Sequence, residues 1–264
     1  MPGRPLALVL SLVLAAPLLS GTAFSQWPTS KTAGIPRTSE GKADLLAPPP
    51  RTSDGKPDLS GLWQVPLANG IPKYVLNLAA DLPNNQVPLQ PWAEALLKER
   101  METSGKDYPP SRCLPPGVPN ITFAPHPFKI IQIPGLVVIL HEALMTFRQI
   151  FTDGRALPQE VEPTWMGYSL GTWEGDRLVV RTTGFNDKTW LDIAGHPATE
   201  ALKVTERFRR RDFGHLDLEI TIDDSKAYTH PWTVNVGATL LPDTDLIEFV
   251  CNENEKDQPH LVGK

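Results

Sequence analysis

Motifs for metal or cofactor chemistry are missing from this sequence. Its six histidines are scattered, and none belongs to a paired ligand spacing such as H-E-x-x-H. There is no glycine-rich phosphate loop. The one G-x-S-x-G match, at Ser169, lies in a predicted strand, whereas a nucleophile elbow needs a strand, a tight turn and a helix. We therefore predict no metal site and no cofactor, and no motif fixes a reaction.

Clusters of positive charge are also scarce. The chain carries 25 Lys and Arg against 30 Asp and Glu, which gives a net charge of −5. Its one dense basic patch, at residues 207–211, falls in a predicted strand and hairpin end, where a solvated outer face accounts for it. A mildly acidic chain without basic runs is not typical of nucleic-acid-binding proteins, so we predict no nucleic-acid partner.

Long apolar runs are missing beyond residue 25, so we predict no membrane span. Residues 1–25 combine Arg4, an apolar run at 6–19 and the small residues Ala23 and Ser25, which is the pattern of a secretory signal peptide. A membrane anchor is the alternative, but the run is shorter than the roughly 20 residues that a span needs. We expect an exported protein, periplasmic or extracellular, whose oligomeric state stays open.

Cysteine is limited to two residues, Cys113 and Cys251. An even count in an exported chain favours a disulfide, which would tie the proline-rich residues 107–120 to the last predicted strand. Two buried free thiols are the alternative, but an oxidising compartment disfavours them.

The segment at 26–59 is rich in proline, serine and lysine and has little to bury. It holds an internal repeat, PRTSEGKADL at 36–45 and PRTSDGKPDL at 50–59. Two copies are too few for a solenoid. We predict an extended arm or linker that lies on the folded domain, residues 60–264, or stays mobile.

The stretch GYSLGTWEGDRLVVRTTGF at 167–185 predicts a β-hairpin with its turn at Glu174-Gly175-Asp176. Its two arms are rich in the β-branched and aromatic residues that suit strands. The same pattern recurs along the chain, and the one convincing helix lies at 91–105. Ten strands are predicted, at residues 60–65, 128–133, 136–142, 145–151, 168–173, 178–183, 202–210, 216–222, 232–240 and 245–251.

This succession predicts an all-β fold. Parallel pairing needs long crossovers, so we expect an antiparallel meander. Closure into a β-barrel removes the exposed edges of such a sheet, and a sandwich is the alternative. At 216–222 apolar and polar residues alternate, so one face of the sheet is expected to be core or cavity and the other solvated.

Short motifs add a family resemblance. The Gly61-x-Trp63 start of the first strand, followed by a meander, resembles the lipocalin and calycin-like barrels. A larger set resembles a family of exported bacterial proteins of unknown function, over most of residues 55–255. The resemblance implies a lipocalin-like barrel around a small-molecule cavity. The motifs are DLSGLW at 58–63, FTDGR at 151–155, WEGDRLVV at 173–180, ERF at 206–208 and C-x-E-N at 251–254.

Carboxylates on apolar strand faces are the first candidate site. Glu206 shares its strand face with Val204 and Phe208, and an unpaired charge in an apolar interior is costly. We expect a cationic partner, Arg148 or Arg181, in a structural ion pair. One alternative is a raised pKa and a role in general acid–base catalysis. Another is that a bulge shifts the register and turns Glu206 to the outer face.

Two further residues extend the acid–base alternative. Glu142 ends an apolar run and is placed near the barrel mouth, and His196 lies in a long loop at the rim. An enzyme would use Glu206 or Glu142 together with His196.

Aromatic and polar residues of two long loops are the second candidate site. The loops flank the central hairpin, and a hairpin's outer ends meet in space, so both loops are expected at one rim. Flat aromatic rings with convergent polar groups suit an apolar, aromatic or sugar-like ligand. Alternatively, the tryptophans cap the barrel as core. The residues are Trp165, Tyr168, Asn186, Asp187, Trp190, Asp192 and His196.

Two functions follow from these sites. The first is an exported protein that binds a small molecule in a barrel cavity, with Arg148 and the rim residues as ligand contacts. The second is a periplasmic lyase, isomerase or hydrolase. We favour binding because no nucleophile, metal set or cofactor motif supports the enzyme. A single accessible pocket lined by Glu206, Arg148 and a rim His or Asp would favour the enzyme, whereas a barrel interior packed by side chains would count against both functions.

Overall fold

A computed structural model describes residues 31–68, 70 and 72–253. In that part of the chain nine strands pair in sequence order, and the pairing of the first with the last closes a barrel. The predicted all-β barrel is confirmed, whereas the predicted signal peptide lies outside the described residues. The strands are β1 Gly61–Gln64, β2 Phe128–Ile133, β3 Leu136–His141, β4 Phe147–Phe151, β5 Tyr168–Glu174, β6 Arg177–Thr183, β7 Lys203–Arg210, β8 His215–Asp223 and β9 Trp232–Leu240.

Packed apolar side chains fill the interior of this barrel. Along β8 every second residue is buried, as the alternation in the sequence predicts. Trp63, Phe128 and Phe208 are among the largest fully buried side chains, and they belong to one continuous cluster. Burial of a side chain of this size contributes about 1.5–3 kcal/mol to stability. This packed interior counts against the predicted ligand cavity inside the barrel, and the two grooves described below open elsewhere, in the barrel wall and beside the helix at 91–102.

The predicted tenth strand, at 245–251, is wrong. Residues 241–250 contain no strand and run back over the outside of the barrel, where Lys129 lies 3.3 Å from Asp245. The reason is topological. Since β9 already pairs with β1, the closed barrel has no free edge to which a further strand could bind.

The meander also departs from the antiparallel prediction at one place. β4 and β5 pair in parallel, through Ile150 opposite Ser169 and Phe151 opposite Leu170. Residues 152–167 connect them, and this long loop returns the chain to the end of the barrel at which β4 begins. The sequence predicted a long loop here, but it did not predict that this loop makes β4 and β5 parallel.

The central hairpin forms where it was predicted. β5 and β6 are in register from Tyr168 opposite Thr183 to Glu174 opposite Arg177. Gly175, in the turn, has φ of +61°, a left-handed conformation that glycine adopts readily.

Helices are few among the described residues. The predicted helix at 91–105 is α2, Pro91–Glu102, and it begins at its proline as predicted. A single turn of helix, α1 Lys73–Leu76, precedes it and was not predicted. No helix of the described residues is long and apolar enough to cross a membrane.

The two sequence repeats fold alike. In both 36–45 and 50–59 the threonine N–H donates to the lysine carbonyl four residues later, at 2.9 Å. Gly41 and Gly55 take equivalent left-handed conformations, with φ of +77° and +80°. Each repeat therefore forms the same small closed loop.

Both repeats bind to the barrel through their arginines. Arg37 contacts Asp243 beyond β9 with two hydrogen bonds, of 2.6 and 2.5 Å. Arg51 contacts Asp176 of the β5–β6 turn at 2.7 Å. Of the two predicted alternatives, residues 31–59 follow the first and lie on the barrel.

The predicted disulfide joins Cys113 to Cys251. It ties the proline-rich segment to the residues that follow β9, and not to a strand as predicted. Glu142 also holds this C-terminal segment, because its carboxylate accepts a hydrogen bond from Ile247 N at 3.2 Å. The ring of Phe249 lies 4.6 Å from that of His126.

Candidate functional site

A groove opens in the barrel wall at the parallel seam between β4 and β5. Only two residue pairs join these strands, whereas seven pairs join β5 to β6. Where β4 separates from residues 164–167, the wall leaves a groove of about 500 Å³. This volume lies within the range of roughly 300–1,000 Å³ that is usual for small-molecule sites. We call it the seam groove, and its apolar walls include Met145, Phe147, Phe151, Trp165, Met166 and Tyr168.

Large apolar side chains are unusually exposed at its mouth. Phe147 is 63% and Met145 54% exposed. Inside the groove, the rings of Phe151 and Tyr168 stack with centroids 5.4 Å apart, and the Arg155 guanidinium lies 3.8 Å from the Phe151 ring. Exposed apolar surface bordered by polar residues is typical of a binding site.

A strained turn positions this mouth. Leu144 and Met145, between β3 and β4, both have positive φ, 58° and 47°. Such angles are uncommon for residues with large side chains, and they cost on the order of 1–3 kcal/mol each. The hydrogen bond from His141 N to Thr146 O, 2.8 Å, closes the turn. The surrounding strands thus hold Met145 in an exposed position that an unstrained turn would not give.

Arg148 is among the residues that line the seam groove, and the alternation along β4 turns its side chain toward the barrel interior. We call this inner side of the groove its floor. Arg148 donates from Nε to Ser169 Oγ at 3.0 Å and from Nη2 to Thr182 Oγ1 at 2.8 Å, and Nη2 also binds Glu206 Oε2. The side chains of Arg148 and Glu206 are only 2% and 0% exposed. The predicted inward orientation of Glu206 and its pairing with Arg148 are therefore confirmed. Arg181, the other predicted partner, lies near Glu174 on the surface.

Some polar atoms around this arginine have no partner among the described residues. Glu206 Oε1 and His141 Nε2 are both buried and make no hydrogen bond there. Burial, and secondarily the charge of Arg148, lowers the pKa of His141 to about 3, so its ring is neutral at physiological pH. The hydrogen bonds of Arg148 with described residues use Nε and Nη2, and none uses Nη1. The floor can therefore offer a donor to a ligand oxygen.

Other candidate residues lie away from the seam groove. Glu142 is buried at the β3–β4 turn, and burial raises the pKa of its carboxyl. Asp192 binds His196 through Oδ2 and Nδ1, 2.6 Å apart, in the loop between β6 and β7. Trp190 is buried beneath the guanidinium of Arg100, 3.9 Å from its ring.

The two predicted rim loops do meet, because Asn186 N donates to Thr164 O at 2.9 Å. Their candidate residues nevertheless divide into separate groups. Arg148, Trp165 and Tyr168 converge on the seam groove. Asn186 accepts a hydrogen bond from the nearby Lys188 N and does not line that groove.

The acid–base set does not come together in one cavity. Glu206 binds Arg148, Glu142 accepts from Ile247 N, and His196 binds Asp192. None of the cavities found among the described residues is lined by two of these three side chains.

Sequence reasoning missed several residues of the site. Ser169 and Thr182 pair across β5 and β6 and face inward. Strand parity alone could have identified them as polar residues in the interior. Met145, Phe147 and Met166 carry no such signal, because their exposure depends on the divergence of β4 from the crossover.

Comparisons with protein-family models, curated proteins and solved structures find no match to the chain. The function of the site is therefore inferred from its geometry.

Proposed function

We propose that this protein is an exported small-molecule-binding protein and that its ligand occupies the seam groove. The observation that supports the proposal most strongly is the position of Arg148. Arg148 lines a mostly apolar groove, and three side chains fix its guanidinium. A few polar groups within mostly apolar walls are typical of small-molecule sites.

The walls favour a flat, apolar or aromatic molecule. The stacked rings of Phe151 and Tyr168, together with Trp165 and Phe147, provide aromatic surface against which a ring can pack. Aromatic pairs contribute about 0.5–1.5 kcal/mol beyond the burial of their area. A ligand would also cover Phe147 and Met145, which water contacts in its absence.

The floor favours a neutral oxygen on that molecule. Glu206 already compensates the charge of Arg148, so the pair is neutral overall. A ligand carboxylate placed there would be buried without a full counter-charge, which is unfavourable. A carbonyl, hydroxyl or ether oxygen can accept a hydrogen bond from the guanidinium without that penalty.

Export is supported by the disulfide, since such bonds persist in oxidising compartments. The signal-peptide pattern at 1–25 and the resemblance to exported bacterial barrels agree with it.

Binding of matched aromatic probes tests the proposal. We expect 2-acetylnaphthalene and 2-naphthol to raise the melting temperature more than naphthalene or 2-naphthoate does, because only the first two place a neutral oxygen acceptor beside Arg148. A ligand at 100 times its Kd stabilises the folded state by about 2.7 kcal/mol, which is readily measured.

Two tryptophan variants serve as blocking and control proteins. Gln149→Trp fills the groove, because Gln149 lines it. Thr172→Trp adds the same side chain to the outer face of β5, at an exposed position that does not line the groove. We expect Gln149→Trp alone to abolish the response to the probes. Equal responses in both variants would refute the location of the site.

A further inference from the structure

A second groove lies between α2 and the segment at 85–89, away from the seam groove. Its volume is about 410 Å³. Acceptor-bearing side chains predominate among its polar residues, which distinguishes it from the apolar seam groove. It is lined by Asn85, Gln86, Leu89, Glu94, Leu97 and His196, among others.

The histidine at this groove is fixed by a buried carboxylate. Asp192 is fully buried, and its Oδ1 accepts from Gly195 N at 2.9 Å and from His196 N at 3.1 Å. Its Oδ2 accepts from Leu78 N at 2.7 Å and faces His196 Nδ1 at 2.6 Å. A carboxylate with these contacts acts as an acceptor, so Nδ1 of His196 donates.

This assignment leaves Nε2 as the ring atom with a lone pair. A carboxylate at one ring nitrogen fixes the tautomer and the orientation of the ring. His196 is 3% exposed, it lines the second groove, and none of the hydrogen bonds found among the described residues involves its Nε2.

The chain contains a comparable pair without a groove. His215 Nδ1 lies 2.6 Å from Asp212 Oδ1, but that pair is partly exposed and lines none of the cavities found in residues 31–253. An Asp–His contact alone therefore does not mark a site. What sets His196 apart is that it is deeply buried and yet lines a cavity.

We propose that the second groove binds a small molecule rich in hydroxyl or ammonium groups and that Nε2 of His196 accepts a hydrogen bond from it. Asn85, Gln86 and Glu94 add amide and carboxylate oxygens to the same wall. Because the carboxylate of Asp192 binds Nδ1, Nε2 is the nitrogen of His196 that can accept. Asp192 is thus a positioning residue, and the site is independent of the seam groove.

Chemical labelling tests whether Nε2 is available. Diethylpyrocarbonate reacts with the unprotonated nitrogen of accessible histidines, and mass spectrometry locates the adduct. We expect His196 to be labelled despite its burial, while the neutral, buried His141 is not. Leu97→Trp fills the groove without touching the Asp–His contact and should suppress labelling of His196 but not of His215. An unlabelled His196 beside a labelled His215 would overturn the proposal.

Nitrogen NMR with glucosamine, which carries both hydroxyl and ammonium groups, tests the ligand class. We expect glucosamine to shift the Nε2 resonance of His196 in the parent protein and not in Leu97→Trp. In Asp192→Asn, the ring of His196 should no longer be held in the single Nδ1–H tautomer. A purely structural role of Asp192 would not require this change. The absence of a glucosamine shift, or a shift that persists in Leu97→Trp, would contradict the proposed site.

Discussion

Replacement of Glu206 by glutamine tests the buried ion pair beneath the seam groove. Glutamine keeps the shape of the side chain but removes the charge that faces Arg148. The arginine would then keep only the hydroxyls of Ser169 and Thr182 as side-chain partners among the described residues, with its own side chain almost fully buried. Removal of one member of a buried pair leaves an uncompensated charge, which typically costs about 3–5 kcal/mol.

Urea denaturation with the disulfide intact measures this loss. The m-value grows with protein size and reaches about 3 kcal/mol per M, so the expected loss lowers the urea midpoint by roughly 1–1.7 M. The double variant Arg148→Met with Glu206→Leu replaces both charges by apolar groups. It should recover most of the lost stability, because apolar replacement of a whole buried pair is often neutral or stabilising.

A surface pair that joins β7 to β8 provides the control. Arg207 contacts Glu219 at 2.9 Å on the outer face, where both side chains are partly exposed. Glu219→Gln should change the free energy of unfolding by less than about 1 kcal/mol. A Glu206→Gln midpoint that moves no further than the Glu219→Gln midpoint would refute the buried ion pair.

Three further predictions concern other parts of the molecule. Titration of the unfolded, unreduced protein should detect no free thiol, and two reactive thiols would contradict the disulfide. Reduction should lower the free energy of unfolding by up to about 5 kcal/mol, because Cys113 and Cys251 close a loop with a sequence separation of 138. Burial raises the pKa of Glu142 in the folded protein above its value in the unfolded chain. The folded state therefore loses stability as pH rises from the unfolded-state pKa to the folded-state pKa of this carboxyl. Glu142→Gln should therefore be more stable than the parent at neutral pH and lose that advantage below the ordinary glutamate pKa. Melting temperatures of both proteins across pH measure this, and a difference between them that does not change with pH would argue against burial as the cause. Arg37→Ala should make residues 31–59 more sensitive to limited proteolysis than Arg51→Ala does, because the Arg37 contact is less exposed; the opposite order would contradict it.

Local pattern in the sequence was enough to predict the barrel, its hairpins and the inward orientation of Glu206. The alternation along β8 and the Gly175 turn are read from neighbouring residues, because strand parity and turn angles are local properties. The disulfide followed from cysteine count and compartment.

The closure of the barrel and the crossover between β4 and β5 depend on pairings between distant residues, and sequence reasoning did not predict them correctly. Residues 245–251 have the composition of a strand, but β1 already occupies the edge that they would need. The parallel pairing of β4 with β5 arises because residues 152–167 traverse the barrel. The seam groove is a consequence of that crossover, so Phe147 and Met166 could not be assigned to it from their own neighbours in sequence.

The most direct test of the central claim is methyl NMR of the protein labelled with ¹³C-methyl methionine. Met145 and Met166 line the seam groove, and Met101 is an exposed methionine on α2 that does not. On titration with 2-acetylnaphthalene, we expect shifts of the Met145 and Met166 methyl signals, intermolecular contacts from both to the naphthalene ring, and an unmoved Met101 signal. Binding that leaves Met145 and Met166 unchanged would contradict the assignment of the seam groove as the ligand site.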